Sequence, residues 1–181
     1  MPADIAYFAE RGMRHLGRAR PFAERMHRIN ADTPLLEEFT LSEVERLFEF
    51  MEVYEADPGT PVIVEGEPGD FMIILIAGSM DVAKLDRQER QSRIAVVQEG
   101  HALGEMSMLD GEPRFASCIA IETVQFAVLD RATLTALIRD EPRLGAKILV
   151  KLTHMLSQRL RNTSMRLVSV MEAQRQQGPG H

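Results

Sequence analysis

The chain has 181 residues, 45% of them hydrophobic, which suffices for one sizeable core and a helical extension but not for two full domains. Its single cysteine, Cys118, excludes an internal disulfide framework and leaves no cysteine cluster for zinc or iron–sulfur ligation, so a reducing compartment fits. The formal charge of −6 is unevenly spread: residues 31–142 carry 23 Asp and Glu against 8 Lys and Arg, while residues 143–181 carry 7 basic residues and Glu172 alone as acid. A polyanion is repelled by such a middle, and the tail offers dispersed cations without interleaved aromatics, so no direct DNA binding is expected. The start, MPADIAYFAERGMRHLG, lacks the apolar stretch and cleavage site of a leader, and the most apolar internal run, FMIILIAG, is too short for a bilayer. The expectation is a cytoplasmic protein without membrane contact.

Residues 1–30 read as helix interrupted near Gly17 and Pro21, with Phe8, Met13, Leu16, Met26 and Ile29 as the buried positions. In TLSEVERLFEFM, residues 40–51, Ser42 is placed to cap the first turn with Glu45 as its reciprocal partner, and Leu41, Val44, Leu47, Phe48 and Met51 share one face. From Val53 to Leu129 the pattern changes to short Val-, Ile- and Phe-rich segments separated by turns: VYEA, PVIVE, FMIILIAG, SMDVAKL, SRIAVVQ, FASCIA and TVQFAVL. About seven such segments with Gly and Pro-Gly punctuation predict an antiparallel barrel or sandwich, a small β-roll. Within PVIVEGEPGDFMIILIAGSMDV, Gly66, Gly69 and Gly78 mark sharp turns around strands that need cover on both faces.

Asp130 is a good N-cap for the helical RATLTALIRD, and Pro142 suits the first turn of a longer helix. Leu144, Ile148, Leu152, Leu156, Leu160, Thr163, Leu167 and Met171 then recur at spacings of three or four. A continuous helix from residue 142 to about 175 measures about 50 Å, longer than a small β-domain covers. Two covers are open for its far half: the same helix of a second subunit in a parallel homodimer, with Leu152, Leu156, Leu160, Thr163 and Leu167 as the seam, or a fold back onto the N-terminal helix.

GEMSMLDGEPRFAS, residues 104–117, lies between the β-like and the helical regions. Gly104 permits a conformation other residues resist, EMSMLD is long enough for one or two helical turns, and DGEP turns the chain back to bring Arg114 to the first residue of the next strand. Arg114 offers a bidentate clamp for a phosphate or carboxylate, and Glu105 offers oxygens that accept hydrogen bonds from sugar hydroxyls. Donors on one side and an acceptor on the other describe a phosphorylated sugar. The alternative is that Glu105 and Arg114 simply pair with each other at a barrel rim.

The order Gly104-Glu105, MSMLDGEP, Arg114-Phe115-Ala116-Ser117 resembles the phosphate-binding cassette of the cyclic nucleotide-binding domain family. That motif runs glycine-glutamate, a short helix, then arginine, a variable residue, alanine and usually serine or threonine. Residues 65–82 resemble the strands that precede it, and the similarity extends over about residues 35–165. The resemblance implies a mainly β fold, the jelly-roll-like β-roll of a receptor sensor domain, with N-terminal helices and a long C-terminal helix. It implies that Glu105 meets the ribose 2′-hydroxyl, Arg114 the cyclic phosphate, and Gly104, Ala116 and nearby amides the remaining oxygens, so that Gly104, Glu105, Met106, Ser107, Arg114, Phe115, Ala116 and Ser117 form the ligand-binding set. It also implies that the helices after residue 130 close over the base and relay occupancy.

Two departures qualify the resemblance. Many members place a small residue or a hydroxyl after the arginine, threonine there being associated with the guanine nucleotide; Phe115 lacks that donor, which favours cyclic AMP over cyclic GMP or else crowds the pocket. Bacterial regulators of the family append a winged helix-turn-helix of roughly 70 residues, whereas this sequence ends as EAQRQQGPGH, so a stand-alone bacterial-type sensor acting on a separate protein partner is expected. The expected organisation is an N-terminal helical extension over 1–34, the β-roll with adjacent helices over 35–141, the lid and dimerisation helix over 142–176, and a disordered tail over 177–181.

The five histidines form no H-x-x-x-H pair or two-histidine, one-carboxylate cluster in sequence, and no serine, cysteine or lysine nucleophile stands beside a credible base. Neither a metal, a cofactor nor a catalytic activity is expected. The other functional class left open is an adaptor that keeps the fold without its ligand and acts through protein–protein contacts, a reading motivated by Phe115 and the acidic middle.

Overall fold

The computed structural model describes residues 5–29, 33–86, 88 and 90–176. Among these, helix α1 (Ile5–Glu10), strand β1 (Arg14–Arg18), a 3₁₀ turn (Arg20–Phe22), α2 (Ala23–Arg28) and α3 (Leu41–Glu49) lead into the β-region. That region comprises β2 (Glu52–Ala56), β3 (Pro61–Ile63), β4 (Phe71–Ala77), β5 (Ser79–Leu85), β6 (Gln91–Gln98), β7 (Ala102–Leu103), helix α4 (Glu105–Asp110), β8 (Ser117–Ala120) and β9 (Val124–Asp130). Helices α5 (Arg131–Asp140) and α6 (Pro142–Gln176) follow. The tail expected over 177–181 lies outside the described residues.

Two open antiparallel sheets form the roll, in strand orders β1-β2-β9-β4-β7 and β3-β8-β5-β6. β4 shows why its sequence carries apolar residues at both parities. Phe71, Ile73 and Leu75 enter the core between the sheets with Tyr54, Val62, Met80 and Phe126, whereas Met72, Ile74 and Ile76 face a second core built with α2, α3, α5 and the start of α6. β9 divides in the same way, Val124, Phe126 and Val128 to one side, Ala127 and Leu129 to the other.

The structure corrects the helical reading of the N-terminal segment. Gly12 turns the chain out of α1 at a φ of 73°, and residues 14–18 run as an edge strand whose partners are Glu52, Val53, Tyr54 and Glu55 of β2. Arg14 pairs there with Glu55, and Arg18 with Glu52 at 3.1 Å, so opposite charges across the ladder rather than an apolar alternation define the edge. Phe8, Met13 and Met26 are buried as expected, but Leu16 on the edge strand is exposed.

The cap of α3 also differs from expectation. Thr40, not Ser42, accepts the Glu43 N–H, and the Glu43 carboxylate returns to the Thr40 N–H at 2.8 Å. Both serine and threonine stand three residues before a glutamate, and the chain enters the helix at the earlier pair.

α6 is continuous, as its spacing predicts, and divides by burial. Leu144, Ile148, Leu152 and Met155 are buried in the helical core, while every described side chain from Gln158 to Ala173 is exposed. Leu152 therefore does not belong to an exposed seam: the domain's own helices cover it. Lys147 and Lys151 tether the buried half, Lys147 to the Glu38 carbonyl at 2.8 Å and Glu43 at 2.7 Å, Lys151 to Glu38 at 3.1 Å.

Candidate functional site

The cassette is shaped by what α4 needs at its two ends. Gly104 precedes the helix at a φ of 80°, where a Cβ would also stand 2.7 Å from Nη1 of Arg114 and 2.9 Å from Cδ1 of Ile63; only glycine meets both demands. At the C-terminal end, Arg131 of α5 donates from Nε to the Met108 carbonyl at 2.6 Å and from Nη2 to the Ser107 carbonyl at 2.9 Å, the latter also accepting the Gly111 N–H at 3.0 Å.

Arg114 does not begin a strand as its sequence position suggested; β8 starts three residues later. It lies in the connecting loop, its N–H donating to the Glu67 carbonyl and its carbonyl accepting from the Gly66 N–H, both at 2.9 Å. The side chain is 4% exposed. Its Nη1 donates to the Gly104 carbonyl at 2.8 Å, its guanidinium carbon stands 4.3 Å from the Phe71 ring centroid, and Nη2 has no hydrogen-bond partner among the described residues. A buried donor left unpaired is uncommon and costly, and marks a place where an acceptor belongs. Burial pulls the guanidinium below its ordinary pKa, opposed by the nearby Tyr7, Cys118, Asp70 and Glu105, and an arginine stays charged throughout.

Glu105 is 1% exposed. It does not pair with Arg114, the alternative that the sequence left open, but with Arg159 of α6, whose Nη2 also reaches the Ala102 carbonyl at 3.3 Å. Burial pushes the Glu105 carboxyl up from its ordinary value, against the pull of Arg159 and Arg114. The sign for stability follows: the native state holds this proton more tightly than the unfolded chain, so Glu105 penalises folding only once the pH exceeds the ordinary value of 4.5. The penalty grows from there until the raised native value is passed. Glu105→Gln should therefore flatten the fall in stability just above pH 4.5, measured by urea unfolding at successive pH values; an unchanged pH profile would remove Glu105 as its source.

Gly104, Glu105, Met106, Ser107, Arg114, Phe115, Ala116 and Cys118 all line a cavity of about 70 Å³, together with Ile63, Val82, Leu103 and Arg159. Ser117 is the one member of the expected set outside this lining; its Oγ accepts the Glu65 N–H at 2.9 Å. Burial pushes the Cys118 thiol up to about 12, leaving it an unreactive wall. Phe115 lines the small cavity and the larger one beside it yet is 56% exposed, with Lys84 Nζ 4.2 Å from its ring centroid.

A larger cavity of about 660 Å³ adjoins, sharing Val82, Leu103, Met106, Phe115 and Arg159 with the small one. Its walls are Ile94, Ala95 and Val97 of β6, Leu109 and Asp110 of α4, and Leu156, Leu160, Asn162, Thr163 and Arg166 of α6. The sequence reading missed Arg159 and, beyond a lid role for the helix as a whole, gave Leu156, Leu160 and Thr163 to a dimer seam or a fold back onto the N-terminal helix, not to this cavity. The signal available for Arg159 was its place on α6 one turn after Met155, the last buried residue of that helix, but its partner is 54 residues away in sequence. Among the described residues no group of three His, Cys, Asp or Glu side chains is arranged to hold a metal ion, and no helix is long and apolar enough to cross a membrane.

The comparisons agree with this geometry. The sequence profile described as the cyclic nucleotide-binding domain matches residues 54–141. A crystal structure of a cyclic nucleotide-binding domain from Methylobacillus flagellatus KT is 36% identical, with a TM-score of 0.78 over 87% of this chain and 88% of that one. The catabolite activator protein of Thermus thermophilus is 25% identical, with a TM-score of 0.70 over 77% of this chain and 63% of that one. The CRP-like cAMP-activated global transcriptional regulator of Mycobacterium tuberculosis is 30% identical over 113 residues, 62% of this chain and 49% of the relative, so the chain spans about half the length of that protein. Profile, fold and the glycine-glutamate to arginine cassette at one lined cavity converge: the chain belongs to the cyclic nucleotide-binding domain family, a non-catalytic regulatory domain.

Proposed function

We propose that this domain senses 3′,5′-cyclic AMP and passes its occupancy through α6 to a protein partner. The observation that carries this reading is the buried Arg114, whose Nη2 has no hydrogen-bond partner among the described residues, in the lining of the cavity it shares with Gly104 and Glu105. In this reading Arg114 takes the cyclic phosphate, Glu105 accepts the ribose 2′-hydroxyl, and the backbone around Gly104, Met106, Ser107 and Ala116 surrounds the remaining oxygens. The base occupies the larger cavity under α6, against Val82, Val97 and Leu160, with Asn162 and Thr163 as the uncharged polar groups available to its edge. Phe115 presents an apolar ring with no donor for guanine, which supports the adenine nucleotide.

The relay has a concrete starting point. A sugar hydroxyl donating to Glu105 competes with Arg159 for the same carboxylate, so occupancy changes how α6 is held while Leu144, Ile148 and Leu152 keep its first half in the core. A differential affinity of about 1–3 kcal/mol between two settings of α6 suffices for signalling. The exposed part of the helix, including Leu160, Leu167, Val170 and Met171, is the surface we assign to the partner, a second copy of the chain being the simplest one.

Calorimetry of nucleotide-free protein with cyclic AMP, cyclic GMP and AMP tests the ligand. Cyclic AMP should bind tightest and AMP weakest, and AMP binding above both cyclic forms would overturn the assignment. No binding of any of them would favour the adaptor reading. Sedimentation of the same samples reports the partner: a monomer at high micromolar concentration with and without cyclic AMP would exclude the second copy.

A further inference from the structure

The loop between β3 and β4, residues 64–70, contains Gly66, Pro68 and Gly69 and packs against Arg114. It exchanges the two backbone hydrogen bonds with Arg114 through Gly66 and Glu67. Gly69 lies directly beneath the guanidinium, since a Cβ there would be 2.0 Å from Nε, and Phe71, at the start of β4, stacks against it. A glycine-rich loop has conformational freedom of its own, so the aim of Arg114 depends on what restrains the loop from the other side.

That restraint is α1 with the turn that ends it. Arg11 Nη2 donates to both carboxylate oxygens of Glu67, at 2.8 and 2.9 Å, with the two side chains only 24% and 35% exposed. The Tyr7 hydroxyl lies 3.2 Å from the Val62 carbonyl and 3.4 Å from Oε2 of Glu67. The Tyr7 and Phe8 rings meet Phe71 edge-on at 5.3 and 5.1 Å between centroids. Arg11 in turn stacks 3.8 Å from the Tyr7 centroid and donates to the Tyr7 carbonyl at 3.3 Å. A charge-assisted pair to both oxygens, partly shielded and braced by aromatic contacts, holds geometry far better than an exposed surface pair.

We propose that α1 and the turn that follows it are a positioning clamp for the ligand-binding arginine: Tyr7 of α1 and Arg11 of the turn fix the Glu67 loop and the Phe71 ring, and these set the direction in which the Arg114 guanidinium meets an anion. The inference rests on the reading of Arg114 as the group that takes the cyclic phosphate. It makes Arg11, Tyr7 and Glu67 positioning residues that touch no ligand. Fixing the arginine in advance removes ordering cost from the binding step, so loosening the clamp weakens the phosphate contact and spares the contacts made by the base.

The test compares Arg11→Leu, Arg11→Lys and Tyr7→Phe with wild type by two readouts: the Nε–H resonance of Arg114 in ligand-free protein, and calorimetric affinity for cyclic AMP and for adenosine, which lacks the phosphate. Arg11→Leu should move the resonance and weaken cyclic AMP about tenfold while leaving adenosine unchanged, with Arg11→Lys and Tyr7→Phe intermediate. In an Arg114→Met background, Arg11→Leu should cause no further loss. An unmoved resonance with unchanged affinity, or equal losses for cyclic AMP and adenosine, would overturn the clamp. If wild type binds no cyclic nucleotide yet the resonance responds to Arg11→Leu, the clamp stands and the cyclic nucleotide reading fails.

Discussion

Arg114→Met should weaken cyclic AMP binding by roughly 30-fold to several-thousand-fold, about 2–5 kcal/mol, while leaving the ligand-free domain as stable as wild type or more stable. The two effects have one cause. In the free protein the guanidinium is removed from water with a hydrogen bond to Gly104 and a ring contact with Phe71, and its Nη2 lacks a partner among the described residues. Such a charge is poorly compensated until an anion arrives, and an apolar side chain of similar length removes the desolvation cost. The methionine thioether can rest on the Phe71 ring in place of the cation. Thermal unfolding of both proteins with and without cyclic AMP separates the outcomes, each kcal/mol being worth about 2–4 °C in a domain of this size. A variant that still gains the wild-type increment from cyclic AMP would place the phosphate elsewhere. A ligand-free variant that loses several degrees would make Arg114 a structural residue.

Leu152→Ala should cost about 2–5 kcal/mol of unfolding free energy at every protein concentration, leaving the response of the midpoint to dilution as it is in wild type. Leu152 has 0% exposure and packs in the helical core with Leu144, Ile148 and Met155, so the substitution opens a cavity inside one chain. A residue of an intersubunit seam would behave differently, because its substitution would change how the midpoint responds to dilution. Leu160, two turns later on the same stripe, is 69% exposed and should tolerate alanine with little loss in the single chain. Urea unfolding at two concentrations tenfold apart decides the matter. A loss below about 0.5 kcal/mol for Leu152→Ala would contradict the packing. The position matters for function because Leu152 and Met155 end the anchored part of α6, and Leu156 and Arg159 over the cavities come next.

Several parts of this molecule were legible in the sequence because their determinants are local. Apolar residues at every position of FMIILIA demand cover on both faces, and β4 receives it from the second sheet and from the helices. The unbroken three- and four-residue spacing after Pro142 specifies one long helix, and α6 runs to Gln176. Gly104, Glu105 and Arg114 could be grouped because they lie within one short stretch, and they line one cavity. What only the tertiary structure decided are the relations between distant residues. The periodicity of α6 identifies an apolar stripe but not where the β-roll stops covering it, so it does not separate buried Leu152 from exposed Leu160. The edge strand β1 is held by charge pairs with β2 and carries no alternation that would distinguish it from a polar helix. Glu105 finds Arg159 across 54 residues and Glu67 finds Arg11 across 56, and neither arginine differs in its local sequence from a solvated one. Local patterns report which face of an element is apolar; the partner on that face, and the aim of a buried charge, are set by long-range packing.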